Sequence, residues 1–348
     1  VTAPRRLVLT GPRMLALEPV EIGPPGPRQV RARGLLSAIS HGTELSLYRG
    51  TSPFADKTFD KDARLFTDGA GPDYPQALGY EWVGRVEAVG DGVEGFAPGD
   101  LVHLRLPHQE AYLVDVDEVA AMGVTGPLPA GLTPDRAAYL SIASIALQAV
   151  HDARIRLGDT VAVFGLGALG LLVVQLARLS GAAEVIAFDP DARRRALAQD
   201  LDAIVADPME TDPGAVSRAH GPGADVAIEF SGSTAALHQA IRSVRQGGAV
   251  VAAGFYQGGA APLRLGEEFL HNRVTVRAST PAWDNPHRAA PLWDRVRLRQ
   301  TVERLLADGT LAVDALPMER VPFARAAEVY AALDEGRSTA LKTVLVYE

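Results

Sequence analysis

Eleven residues, Thr160–Gly170 (TVAVFGLGALG), constrain this chain more than any other stretch. Val161–Phe164 has the unbroken apolar character of a strand buried on both faces, and Gly165-Leu166-Gly167 turns it straight into a helix starting near Ala168. Gly165, Gly167 and Gly170 complete G-x-G-x-x-G, with Leu166, Ala168 and Leu169 between them. The first glycine permits the tight turn, the second lets a pyrophosphate approach the backbone, and the third lets helix and strand pack closely. Glycine-rich turns are common in a chain with 34 glycines, so the hexad draws its weight from context. A second strand, Glu184–Phe188, ends at Asp189, nineteen residues past Gly170. A carboxylate there accepts the hydroxyls of an adenosine ribose. The stretch predicts a dinucleotide site. The competing reading is a strand–helix turn whose glycines serve packing alone.

At 348 residues the chain has room for two domains with sizeable cores. Its 47% hydrophobic and 22% charged content is that of an ordinary globular protein. A formal charge of −8 without any Lys/Arg block argues against a nucleic-acid partner. The densest basic point, Arg193-Arg194-Arg195, follows Asp189 and reads as a cofactor contact or a solvated helix face. Neither a signal peptide nor an eighteen-residue apolar span is visible, so a cytoplasmic location with no membrane partner is expected. Cysteine is absent, which removes disulfides, thiolate nucleophiles and cysteine-ligated metals in one step. Eight histidines leave a histidine–carboxylate site open.

Residues 5–34 read as short strands broken by the GPPGP turn, and residues 77–102 alternate strands with glycine turns, as in a small β-barrel-like domain. Between them, residues 51–76 carry Phe54, Phe59, Phe66 and Tyr74 without a clean period and read as a long surface loop. From residue 160 the period becomes βαβ, with strands expected at 161–164, 184–188, 203–206, 225–230, 248–253 and 274–277. That pattern predicts a doubly wound parallel sheet. Residues 295–309 and 323–334 read as helices, and LKTVLVY as a final strand. The division expected is 1–135, completed by a return over 287–348, and 136–286 for the nucleotide-binding domain.

A β-rich domain, a late dinucleotide unit and a C-terminal return resemble the medium-chain dehydrogenase/reductase family over essentially the whole chain. The resemblance rests on SHGTELSLYRG, LGYEWVGRVEAVGDGVEGFAPGD, AAYLSIASIALQAV and VAVFGLGALGLLVVQLAR. It implies a two-domain α/β fold, GroES-like plus Rossmann, with an active site in the interdomain cleft. HGTE and GYE without a structural-zinc lobe are similar to the bacteriochlorophyllide-dehydrogenase-like branch, from which no pigment substrate follows. Zinc-using members place cysteine where this chain has His41, histidine where it has Tyr80, and a third ligand near Ile142. Only seven residues separate Asp100 from His108, so the structural lobe is deleted. Both family zinc sites are expected to be lost, leaving at most an unrelated metal site among His41, Glu44, Glu81, His103 and His108.

Without zinc, side chains must handle the proton at the reacting oxygen. His41 is the candidate acid/base, weighed against a purely structural imidazole. Tyr80 is a hydrogen-bond donor or a filler of the metal's space. Glu81 and Glu44 either orient His41 or close ion pairs, with the structural reading stronger for Glu44. By the resemblance, Thr43 relays a proton to the nicotinamide ribose, with Ser40 as a substitute, and Ser144 lies near the nicotinamide. Asp189 favours NAD over NADP, a preference that Arg193 and Arg194 soften. Ser231, Gly232, Gly254 and Phe255 follow strand ends and should flank the cofactor, and Lys342 resembles a late basic residue that reaches it in some relatives. The 51–76 aromatics, with Trp82, suggest an apolar or cyclic small-molecule substrate, or else satellite core. The segment from Arg277 to Trp283 follows a strand edge that pairs across a two-fold axis in relatives, so a homodimer is expected, and His271-Asn272-Arg273 stands beside it.

The main reading is a zinc-independent, NAD-dependent dehydrogenase of an alcohol or carbonyl substrate. Two others stay open: an NADPH-dependent reductase of quinones or activated C=C bonds, and a non-catalytic binding or regulatory protein that keeps the fold.

Overall fold

The computed structural model describes residues 3–280 and 292–348, so Trp283 lies outside the described residues. The chain divides into two compact units, Val1–Ser141 with Glu303–Glu348, and Ile142–Val302. Both crossings run inside continuous helices, Leu140–Ala153 and Arg295–Ala307, so no linker composition marks them.

The first unit opens with β1 (Arg5–Gly11), β2 (Met14–Pro19), β3 (Gln29–Ile39) and α1 (Thr43–Arg49). There follow β4 (Lys57–Asp60), β5 (Leu65–Asp68), β6 (Gln76–Ala77), β7 (Trp82–Val89), β8 (Leu101–Leu104), β9 (Ala111–Asp115), α2 (Val116–Ala121) and α3 (Pro134–Ala137). The helix α4 (Leu140–Ala153) then leads into the second unit. The stretch read as a long loop is in part the hairpin β4–β5, where Phe59 and Phe66 are cross-strand partners. Its rings pack on one another, Phe59 and Phe54 lying 5.1 and 5.4 Å from Phe66. Almost every position of the two strands is exposed, so no buried alternation announces them.

The second unit alternates β10 (Thr160–Phe164), α5 (Ala168–Leu179), β11 (Glu184–Phe188), α6 (Ala192–Asp200), β12 (Ile204–Ala206), α7 (Pro213–Ala219), β13 (Ala224–Glu229), α8 (Thr234–Ser243), β14 (Val244–Ala252) and β15 (Thr275–Ala278). All six strands are parallel, in the order β12-β11-β10-β13-β14-β15. This is the doubly wound arrangement, whose strand order reverses beside β10 and leaves a crevice at the carboxyl ends of the strands. The unbroken apolar runs of β10 and β11 follow from burial on both faces, with Phe164 stacked on Phe188 at 4.6 Å.

The helix α9 (Arg295–Ala307) returns the chain to the first unit, which β16 (Met318–Pro322), α10 (Ala326–Asp334) and β17 (Lys342–Val346) complete. The sheet order there is β16-β17-β3-β7-β8, with β9 also on β3. In β3 alternate residues are buried up to Gly34, and the run from Leu36 to Ile39 is buried throughout. That buried end pairs antiparallel with β17.

Candidate active site

The turn after β10 uses its three glycines differently. Gly165 takes a left-handed φ of +86°, and a Cβ there would lie 2.8 Å from the Ser231 nitrogen. A Cβ on Gly170 would lie 1.8 Å from the Gly165 carbonyl oxygen. Around Gly167 a Cβ would meet nothing within 4 Å, and as the residue before α5 it offers no side-chain cap. The first N–H groups of α5, at Ala168, Leu169 and Gly170, therefore lack a side-chain cap beside open space, which suits a pyrophosphate.

Asp189 directly follows β11 and is 3% exposed. Its Oδ2 accepts from the Leu166 N–H at 2.7 Å and its Oδ1 from the Asp191 N–H at 2.8 Å, so it braces the glycine turn directly. Of the three arginines that follow, only Arg194 points its charge at this carboxylate, at 3.6 Å. Arg193 folds onto Asp191, whose carboxyl it holds down to about 2, and Arg195 pairs with Asp207 at 2.8 Å. Ser231, Gly232, Gly254 and Phe255 converge on the same strand ends. A Cβ on Gly254 would lie 2.4 Å from the Gly232 nitrogen, and one on Gly232 would lie 2.7 Å from the Phe255 oxygen.

Sequence reasoning missed Glu229, the buried last residue of β13. Its Oε1 accepts from the Ser231 N–H at 2.6 Å and from the Ser231 hydroxyl, and its Oε2 accepts from the Tyr256 hydroxyl. Burial pushes its carboxyl above the usual range against these bonds. The available signal was an acid ending an otherwise apolar strand. Ser144 is buried on α4 rather than on these turns.

A second polar cluster lies in the first unit. The Nε2 of half-buried His41, just before α1, is 3.3 Å from the Thr343 hydroxyl on β17. The Tyr80 hydroxyl donates to Ser40 Oγ at 2.8 Å. Burial raises the Tyr80 phenol, seconded by the charge of Glu81, while hydrogen bonds with Ser40 and Thr43 pull weakly the other way, so it is a neutral donor. Glu44 is buried, and its Oε1 accepts from the Ser40 N–H at 2.8 Å. Its Oε2 meets His108 Nε2 at 2.8 Å and accepts from the Tyr330 hydroxyl. Burial works against the Glu44 charge, yet His108, Tyr330 and the Ser40 N–H bring its carboxyl below the usual range. Ser37 and Tyr347 extend this network from His108 Nδ1, at 2.6 and 2.5 Å. Glu44 thus anchors Ser40, and Ser40 anchors Tyr80.

Lys342 donates to Glu81 Oε2, both side chains being enclosed. Burial raises the Glu81 carboxyl and Lys342 opposes the rise. The Lys342 ammonium also stands 5.9 Å from the centre of the Tyr139 ring. Glu81 Oε1 and the Tyr139 hydroxyl, both buried, have no hydrogen-bond partner among the described residues.

A zinc ion does not fit this donor set. Ile142 cannot ligate, Tyr80 is held as a neutral donor, and Glu81 already faces a cation. His108 is tied on both ring nitrogens, and His103 is buried with Nε2 3.4 Å from Ser141 Oγ. Among the described residues no three His, Cys, Asp or Glu side chains are grouped to hold a metal.

A zinc-binding dehydrogenase family model matches residues 168–295, and an alcohol dehydrogenase GroES-like domain model matches residues 57–133. The chain is 33% identical over 336 residues to the D-guloside 3-dehydrogenase of Shigella flexneri, covering 94% of this chain and 95% of that protein. It is 31% identical over 243 residues to the (R,R)-butanediol dehydrogenase of Bacillus subtilis (strain 168), covering 63% of this chain and 68% of that one. The fold is similar to alcohol dehydrogenase TADH from Thermus sp. ATN1, with a TM-score of 0.74 at 26% identity over 99% of this chain and 100% of that one. Together with the dinucleotide turn and its strand-end carboxylate, these matches establish that the chain belongs to the medium-chain (zinc-type) dehydrogenase/reductase family, as an NAD(P)-linked oxidoreductase that lacks the cysteine-based zinc site.

Proposed function

We propose that the protein interconverts a secondary hydroxyl of a small polyhydroxylated compound and its ketone, with NAD(H) preferred and with side chains in place of a metal. The observation that carries this reading is the enclosed polar cluster of the first unit, where His41 and Tyr80 occupy the positions at which metal-using relatives gather ligands. The relatives support the substrate class, since position 3 of a D-guloside and (R,R)-butanediol both present secondary carbinols. Phe66 of the β4–β5 hairpin, packed against Phe59 of the same hairpin and against Phe54 just before it, suits a ring that stacks through its C–H face.

When bound, the nicotinamide accepts or returns the hydride. His41 removes the carbinol proton in oxidation and restores it in reduction, the general acid–base role of an imidazole. Tyr80 turns its single hydroxyl proton from Ser40 to the reacting oxygen, and Thr43 passes the proton onward, with Ser40 behind them. Asp189 takes the adenosine ribose hydroxyls and disfavours a 2′-phosphate, and Arg194 limits how strict that preference is. The first turn of α5 holds the pyrophosphate, Leu166 being buried with its N–H spent on Asp189, and Ser231, Gly254 and Phe255 border it. Ser144 takes a place beside the nicotinamide in this reading. Reduction of a quinone or activated alkene can draw its proton from solvent after hydride transfer, whereas carbinol oxidation must lose the O–H proton as the hydride leaves, which favours the carbinol reading.

A homodimer through β15 belongs to this proposal, because β15 is an edge strand whose side chains are mostly exposed. The setting is the cytoplasm, where nicotinamide dinucleotides are held. No helix among the described residues is long and apolar enough to cross a membrane.

The test is turnover of methyl D-glycopyranosides and (R,R)-2,3-butanediol with NAD+ or NADP+, followed by NADH or NADPH absorbance. Oxidation faster with NAD+ is expected, and His41→Ala should lower kcat by about 100-fold with NADH affinity retained. Quinone reduction by NADPH with no carbinol oxidation would overturn the reading.

A further inference from the structure

We propose that Lys342 supplies the positive charge that a metal gives in zinc-using members: its ammonium, held by Glu81, hydrogen-bonds the reacting oxygen and stabilises the alkoxide as hydride leaves. The proposal rests on the carbinol-oxidation reading above.

Among the 34 basic residues of the chain, only Lys57, Lys61 and Lys342 are lysines. Lys57 and Lys61 are exposed at the β4–β5 hairpin, so every other basic position carries arginine. The one enclosed lysine is the one paired with Glu81, at 2% exposure. A compact ammonium with three donors suits a single oxygen atom, whereas a planar guanidinium suits a flat two-oxygen partner.

The hydrogen bonding of the cluster is also incomplete. Lys342 spends one N–H on Glu81 Oε2, and its ammonium stands 5.9 Å from the centre of the Tyr139 ring. Glu81 Oε1 and the Tyr139 hydroxyl are buried without partners among the described residues. Unmet polar atoms of this kind are costly unless a ligand or water completes them. A carbinol oxygen has lone pairs to accept a Lys342 N–H while its own single proton stays directed at His41. Glu81 also bears electrostatically on the Tyr80 and Tyr139 phenols, which places all four groups in one cluster.

In oxidation the carbinol C–H bond gives its hydride to NAD+, the O–H proton goes to His41, and the C=O bond forms. Lys342 keeps its protons throughout. The pair therefore does by charge and hydrogen bonding what a Lewis acid does elsewhere.

The experiment compares the wild-type protein with K342M and K342M/E81Q on the methyl glycosides and (R,R)-2,3-butanediol, with melting temperature and NADH fluorescence titration alongside. Because K342M strands a buried carboxylate, the neutral double variant guards against a simple folding failure. We expect kcat to fall by about 100- to 1,000-fold in both variants, with NADH affinity within about twofold of wild type. Methylamine should partly restore turnover in K342A. A kcat within about threefold of wild type in K342M, or recovery of kcat in the double variant, would show a merely structural pair and overturn the proposal. So would a loss of NADH affinity matching the loss of kcat, which would make Lys342 a cofactor ligand. A wild-type protein that oxidises none of the probes overturns the carbinol reading, and this proposal with it.

Discussion

Within six residues, Gly165, Gly167 and Gly170 answer to different constraints, and substitution separates them. A methyl at Gly170 would run into the Gly165 carbonyl oxygen, a backbone atom that cannot swing away. Gly170→Ala should therefore cost about 1–3 kcal/mol of stability, read as a lower melting temperature. At Gly167 the methyl has free space and an ordinary φ of −67°, so the fold should tolerate Gly167→Ala. What that variant should lose is cofactor: about tenfold weaker NADH binding at an unchanged melting temperature, because the methyl fills the approach to the pyrophosphate. Equal effects of the two substitutions would contradict this division. The hexad was legible in the sequence because the motif is local. The position of Asp189 after the second strand was legible, but its bonds to the Leu166 and Asp191 N–H groups were not, since they depend on how β11 lies against β10.

The end of β13 shows what an element adds to its residues. Glu229 gathers Ser231, Gly232 and Tyr256 and so shapes the turn that abuts Gly165. Its carboxyl is raised by burial, so the folded state binds more protons than the unfolded state above the unfolded value of about 4.3. The stability it contributes is full below that pH and is lost as pH rises through the raised value. Glu229→Gln removes this loss, so thermal melting should show the variant gaining stability at pH 8 relative to wild type and not at pH 4. Glu44 carries the opposite sign. Its carboxyl is lowered, so its contribution is present at neutral pH and is lost as pH falls through the folded value. The hairpin β4–β5 was illegible for a related reason, because strands with nearly every side chain exposed carry no burial period.

Over the whole molecule, the first unit is completed by the last residues of the chain. Between β16 and β3 lies β17, with Val344 and Leu345 fully buried and Lys342 and Thr343 reaching Glu81 and His41. Burying each aliphatic side chain is worth about 1.5–3 kcal/mol. Deletion of residues 341–348 should therefore leave the first unit open to protease, while limited proteolysis and mass mapping recover a protected fragment close to 142–302. Survival of an intact N-terminal fragment would refute the dependence. The sequence by itself determined the doubly wound sheet, the dinucleotide turn, the family and the loss of cysteine ligands, because each is written in local periodicity, short spacing or plain composition. Only the tertiary structure decided that Lys342 faces Glu81, that His108 and Tyr330 enclose Glu44, and that Glu229 underlies the Ser231 turn. Those groups are brought together by strand pairing and burial between residues up to 286 positions apart, from Glu44 to Tyr330, and no local pattern encodes which charge meets which.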